Sequence, residues 1–174
     1  MGLIADGHHL PPATAKVLYR AKPRDRVILV SDAIRMAGAP PGLYRVRDAI
    51  AEMTAEGRYG FYQSPILMGA AVPLARCLAN MTRFVAPQQT PVALLPHATR
   101  VPGTLMGQPT ITDELGKPGA PATFVIWRWD RETPDLVPKR IVIRGRTVYD
   151  RETLPTAVPF GRLAPPADLS SYSV

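Results

Sequence analysis

Histidine and cysteine are scarce in this chain: three and one among 174 residues. With Cys77 alone, no internal disulfide can form. Its place in an apolar helical pattern reads as a small buried hydrophobe rather than a reactive thiol. Two of the histidines, His8 and His9, are neighbours, so both rings cannot easily reach one ion. The third, His97, stands in an apolar stretch and reads as a satisfied core residue. There is no His-x-His, no His-Glu-x-x-His and no pair of cysteines, so the three protein ligands of a catalytic zinc cannot be assembled here. No run approaches the ~20 apolar residues of a membrane-spanning helix. The first residues lack the basic and long apolar regions of a secretory signal, and Gly2 lacks a myristoylation pattern. A cytoplasmic location is therefore the expectation.

What the chain has in excess is proline, 20 residues, about twice the usual ~5%. That disfavours long uninterrupted helices and favours many stops and loops. The formal net charge is +7. Nucleic-acid binding would need those basic residues gathered on one face. They are scattered instead: Lys16, Arg20, Lys22, Arg24 and Arg26 early, then Lys139, Arg140, Arg144 and Arg146 late. The late group alternates with Ile141, Val142 and Ile143, as at the ends and wet side of a strand. An anionic small molecule is a better partner than DNA or RNA.

The length suits one domain with a real core. Leu3–Ala5 reads as a short strand, followed by the polar loop Asp6-Gly7-His8-His9. Pro11 and Pro12 open a helix over Ala13–Ala21, with Ala13, Val17 and Leu18 as its apolar stripe. The apolar run Arg26–Ser31 is patterned as a buried parallel strand that ends at Asp32. Strand, loop, helix, strand is a βαβ unit, which puts His9 and Asp32 at the same strand ends, where α/β folds do chemistry. Leu43–Gln63 is ambiguous: Asp48–Glu56 has weak helical content, Arg58–Tyr62 favours strand, and a hairpin is an option. Ala70–Val85 is patterned as an amphipathic helix with Leu74, Cys77, Leu78, Met81 and Phe84 on one face. Thr90 caps a further helix through Ala98, and a short one runs from Pro102 to Met106. Thr123–Trp129, Lys139–Arg144 and Thr147–Tyr149 read as strands, the last two joined by a tight turn at Gly145-Arg146. The proline-rich end, 151–174, lacks periodicity and is expected to be a flexible tail.

Asp32 is the sharpest candidate for chemistry. A carboxylate at the exit of a buried strand can be held by desolvation near a useful pKa. A turn or cap role is an equally good reading from position alone. His9, on the neighbouring loop, could donate to a substrate oxygen, although an isolated His-His pair more often lies idle on a surface loop.

Two segments taken together carry a resemblance: Gly2-Leu-Ile-Ala-Asp-Gly-His-His-Leu10, and Arg26-Val-Ile-Leu-Val-Ser-Asp-Ala33 with Ala37-Gly38 and Gly42-Leu-Tyr-Arg-Val46 beyond. They resemble the N-acetylglucosamine-6-phosphate deacetylase family of the amidohydrolase superfamily. Pro65-Ile-Leu-Met-Gly69, Ala98-Thr-Arg-Val-Pro102, Leu115-Gly-Lys-Pro-Gly119, Pro121-Ala-Thr-Phe-Val-Ile126 and Ile141-Val-Ile-Arg-Gly145 are similar to further family segments, so that residues 2 to 150 are covered. The resemblance implies an α/β fold: the C-terminal part of a (β/α)8 TIM-type barrel over 1–107, followed by strands of a small β-sandwich over 108–150. It implies hydrolysis of the acetamide of an N-acetyl amino-sugar phosphate by water activated on a divalent metal, zinc or iron. Asp32 would match the general acid–base. Asp6, Gly7, His8 and His9 would match a substrate-binding loop, and Leu67, Met68 and Gly69 the loop that closes over the sugar.

The match is not complete. Ser31 replaces a threonine, and Met68-Gly69-Ala70 replaces an Ala-Gly-Ser pattern that would supply a hydroxyl. The family's metal ligands precede the matched segments, and nothing here replaces them. The chain is expected to be inactive alone, working with a separate N-terminal half or as a homo-oligomer. The alternative is a non-catalytic half-barrel that serves as a binding or interaction protein, associating through its unpaired sheet edges. A basic nucleic-acid binder is the weakest reading.

Overall fold

The computed structural model describes residues 1–108, 118–130, 132 and 136–153. Most of the expected proline-rich tail, and Leu115–Lys117 of one matched segment, lie outside them. The chain divides into two compact units. One comprises Met1–Val30 and the described residues from Leu74 onward; the other is Ser31–Pro73.

The first unit opens with β1 (Gly2–Ile4), α1 (Pro12–Ala21) and β2 (Ile28–Val30). β1 and β2 pair in parallel with Leu3 opposite Leu29, as a βαβ unit requires. Pro12 sits in the first turn of α1, where its missing N–H is no loss. The buried face of α1 differs from the expected stripe: Ala15 and Tyr19 are inside, and Val17 is 66% exposed. Tyr19 is drawn inward by a partner remote in sequence, His97.

The Ser31–Pro73 unit resolves the ambiguous region as an antiparallel sheet of β3 (Gly42–Val46), β4 (Ala49–Met53) and β5 (Tyr59–Phe61). The weak helical content of Asp48–Glu56 is overridden, because β4 is paired on both edges. Tyr44, Ala51, Met53 and Tyr59 share one face of this sheet and bury against Met36 and Ala71.

α2 (Leu74–Val85) begins four residues later than expected. Ala70 cannot join it, since its N–H and carbonyl are already bonded to Asp32 and Ile34. Pro73 also disfavours helix at the residue before it. Of the expected stripe, Cys77, Leu78 and Met81 are buried and Leu74 and Phe84 half-buried; burial pushes the Cys77 thiol up to about 11. Pro91–Ala98 is a 3-10 segment rather than an α-helix, because Pro96 inside it has no N–H to offer. Thr90 makes no side-chain capping bond. α3 (Arg100–Leu105) is followed by the antiparallel sheet of β6 (Phe124–Trp129), β7 (Leu136–Ile143) and β8 (Arg146–Asp150). The β7–β8 turn uses Arg144 and Gly145, both at positive φ.

His97 is the satisfied core residue expected of it, 5% exposed. Nδ1 lies 3.0 Å from the Val27 carbonyl, an oxygen without a proton to give, so Nδ1 carries the hydrogen and donates. Nε2 therefore accepts from the Tyr19 hydroxyl at 3.1 Å. Burial holds the His97 pKa below its ordinary value, against the pull of the Val27 carbonyl. The unfolded chain thus takes up this proton first, at about pH 6.5. The neutral ring's contribution to stability is complete above that pH and is lost as pH falls toward the lower folded value. Urea midpoints measured near neutrality and near pH ~5.5 should fall with acidification, and by less in His97→Gln. An equal fall in both proteins would contradict the neutral-ring assignment.

Candidate active site

The loop after β1 is organised by one carboxylate. Asp6 is 4% exposed, and its Oδ1 accepts the backbone N–H groups of His8 at 3.0 Å and His9 at 2.9 Å. Its Oδ2 lies 2.8 Å from His9 Nδ1. Burial by itself would raise the Asp6 pKa. The two N–H donors and the His9 ring outweigh it and hold the carboxyl below its ordinary value. An ionised Asp6 fixes the proton of a neutral His9 ring on Nδ1 and leaves the lone pair on Nε2. Gly7 turns the loop at φ +92.

A residue that sequence reasoning passed over anchors this loop. Asn80 of α2 is buried, and its Nδ2 donates to the Ala5 carbonyl at 2.9 Å. The available signal was an amide inside the apolar stripe of α2, between Leu78 and Met81: a buried polar group needs a partner, and here the partner is the strand end.

Asp32 and the loop 67–69 lie in the other unit, and there they meet. Asp32 has φ +52, and its carbonyl accepts the Ala70 N–H at 3.0 Å. Ala33 and Ala70 form a parallel bridge, completed by Ile34 N–H to the Ala70 carbonyl at 3.0 Å. Leu67 bridges Gly60, and Met68 N–H donates to the Tyr59 carbonyl at 3.1 Å. Residues 66–70 are therefore laced between β5 on one side and Asp32–Ile34 on the other. Gly69, at φ +102, lies so close that a Cβ there would stand 2.6 Å from Ile34 Cγ2 and 3.7 Å from Asp32 Oδ2. Met68, where the resemblance has a smaller residue, packs on the Tyr44–Tyr59 core. Among the described residues no group of three or more His, Cys, Asp or Glu side chains could hold a metal ion. No helix among them is long and apolar enough to cross a membrane.

No protein-family profile matches this chain. It is 31% identical over 123 residues to an Escherichia coli K12 protein provisionally named N-acetylgalactosamine-6-phosphate deacetylase, covering 71% of this chain and 70% of that one. The chain belongs to the N-acetylhexosamine-6-phosphate deacetylase family. The family's N-acetylglucosamine-6-phosphate deacetylase of Vibrio furnissii is 28% identical over 157 residues, 88% of this chain and 36% of that protein. This chain thus spans about a third of the length of that family member. The crystal structure of N-acetylglucosamine-6-phosphate deacetylase from Pasteurella multocida superposes with a TM-score of 0.65 at 20% identity, over 84% of this chain and 36% of that one. The α/β fold is accordingly shared with a portion of the family's enzymes.

Proposed function

We propose that this chain works in the deacetylation of an N-acetyl amino-sugar phosphate, as the C-terminal portion of a TIM-type barrel (1–107) followed by strands of a small sandwich (108–150). Family membership supports the substrate class. The observation that carries the reading is the Asp6–His9 pair: a buried, ionised carboxylate that aims one imidazole from a strand-end loop. His9 binds the substrate, and Asp6 positions it. Gly7 and His8 supply backbone and side chain from the same loop. Asp32 is the proton-transfer group, taking a proton from the attacking water and returning it to the departing amine. Leu67, Met68 and Gly69 close over the sugar.

The residues present do not fit the divalent zinc or iron that the resemblance implies, since Asp6 and His9 form only a pair and no third ligand joins them among the described residues. Catalysis is therefore shared with groups from a separate N-terminal half or a second copy of the chain. Purified chain, loaded with zinc or iron, is expected to release no acetate from N-acetylglucosamine 6-phosphate above the uncatalysed rate. Steady turnover by the isolated chain would contradict this.

A second reading, a non-catalytic interaction protein, is favoured by one observation. Ile126, Trp127, Ile143 and Val148 of β6–β8 are 43%, 36%, 47% and 48% exposed, which leaves apolar side chains of this sheet open to a partner.

A further inference from the structure

A depression lies wholly within the first unit, among α1, the end of α2, the 3-10 segment Pro91–Ala98 and α3. Its volume, about 590 Å³, suits a small molecule. None of the residues given a part in deacetylation lines it. Val85, Ala86, Leu94, Pro96 and Val101 make apolar walls, and Gln89 and Thr104 add polar groups at exposed positions. The charged residues of the lining are Arg24, Arg100 and Asp25, so with His97 neutral one positive charge is in excess.

Arg24 is held in a way that suits a ligand. Among the described residues no carboxylate forms an ion pair with it. Its guanidinium lies over the Tyr19 ring, 3.9 Å from the ring centre. The ring is a fixed platform: it is buried, its hydroxyl is bonded to His97 at 3.1 Å, and His97 is bonded in turn to the Val27 carbonyl at 3.0 Å. Pro23 and the 3-10 turn Arg24–Arg26 restrict the backbone that carries the arginine. A guanidinium with its flat face against an aromatic ring still points its N–H groups outward in its own plane. That edge grips a carboxylate through two parallel hydrogen bonds. Part of the arginine's freedom is already lost before a ligand arrives, which lowers the entropy cost of binding.

We propose that this depression binds an organic monocarboxylate, its carboxylate on the Arg24 fork and its apolar body against Val85, Leu94 and Val101. A monoanion matches a lining with one positive charge in excess. The site does not depend on the deacetylase reading, because it uses none of that reading's residues.

Amide chemical shifts of the isotope-labelled full chain, titrated with benzoate, benzamide and acetate, test it. Benzoate should move Gln89, Ala93 and Thr104 along one saturation curve. Benzamide, which lacks the charge, and acetate, which lacks the body, should each bind about tenfold more weakly. Arg24→Gln should weaken benzoate binding about tenfold, with a melting temperature close to that of the wild type, since the side chain is exposed. Ala93→Phe, at another exposed lining position, crowds the depression without altering Arg24 and should weaken benzoate at least as much. Unchanged benzoate affinity in either variant, benzamide or acetate binding as tightly as benzoate, or no saturable shift with benzoate would each overturn the proposal.

Discussion

Asp6→Ala is expected to lower stability by about 2–4 kcal/mol and to set the His9 ring loose. The side chain removed is nearly inaccessible and accepts from two backbone N–H groups and one imidazole. Each hydrogen bond to an ionised group contributes about 1.5–3 kcal/mol. The sum falls short of three times that, because His8 and His9 are only partly buried and recover water. Asp6→Asn keeps an acceptor for the backbone donors and should fall between the two. The acid limb gives an independent reading. The folded Asp6 pKa lies below its ordinary value, so its contribution is present above about pH 3.9 and disappears as pH falls through the folded pKa. Wild-type stability should therefore drop more steeply than that of Asp6→Ala below about pH 4. Urea unfolding across this range measures both, and an Asp6→Ala chain within about 0.5 kcal/mol of wild type would remove Asp6 as organiser of the loop.

Gly69→Ala is the other large effect, about 2–4 kcal/mol. Two penalties coincide at this position. Alanine at φ +102 is strained, and its methyl group would meet Ile34 Cγ2 at 2.6 Å. That carbon is attached directly to a branched Cβ, so it moves aside only by a change of χ1, which the branching restricts. The shift would pass to Asp32, whose carbonyl and carboxylate stand 3.4 and 3.7 Å from the new methyl. Gly107→Ala provides the control: φ is also positive, +68, but nothing lies within 4 Å, so only the strain of about 1–2 kcal/mol remains. Thermal or urea unfolding of the two variants isolates the crowding. Equal losses would mean that the 67–69 loop does not press on Asp32.

Where the sequence could be read, local pattern and tertiary environment agreed. The apolar stripe of α2 announced itself at Cys77, Leu78 and Met81, and two apolar segments around a proline-started helix marked β1, α1 and β2. Where reading failed, partners distant in the chain had overruled it. Ala49–Met53 is built largely of helix formers, yet it is a strand because β3 and β5 flank it. Tyr19 replaced Val17 on the inner face of α1 for the sake of a bond to a ring 78 residues away. For the candidate site, the resemblance named the Asp6–His9 loop and the Asp32 and 67–69 segments. It could not disclose that both Asp6 oxygens serve the loop itself, or that Asn80 ties down the strand before it. Those facts depend on side-chain directions that spacing along the chain does not encode.

In the proposed function the loop after β1, held by Asp6, binds the N-acetyl amino-sugar phosphate through His9. The most direct measurement is a titration of the isotope-labelled chain with N-acetylglucosamine 6-phosphate, followed by amide chemical shifts. Asp6–His9 should shift together along one saturation curve. Saturation that leaves Asp6–His9 unmoved, or no shift at any attainable concentration, would contradict it.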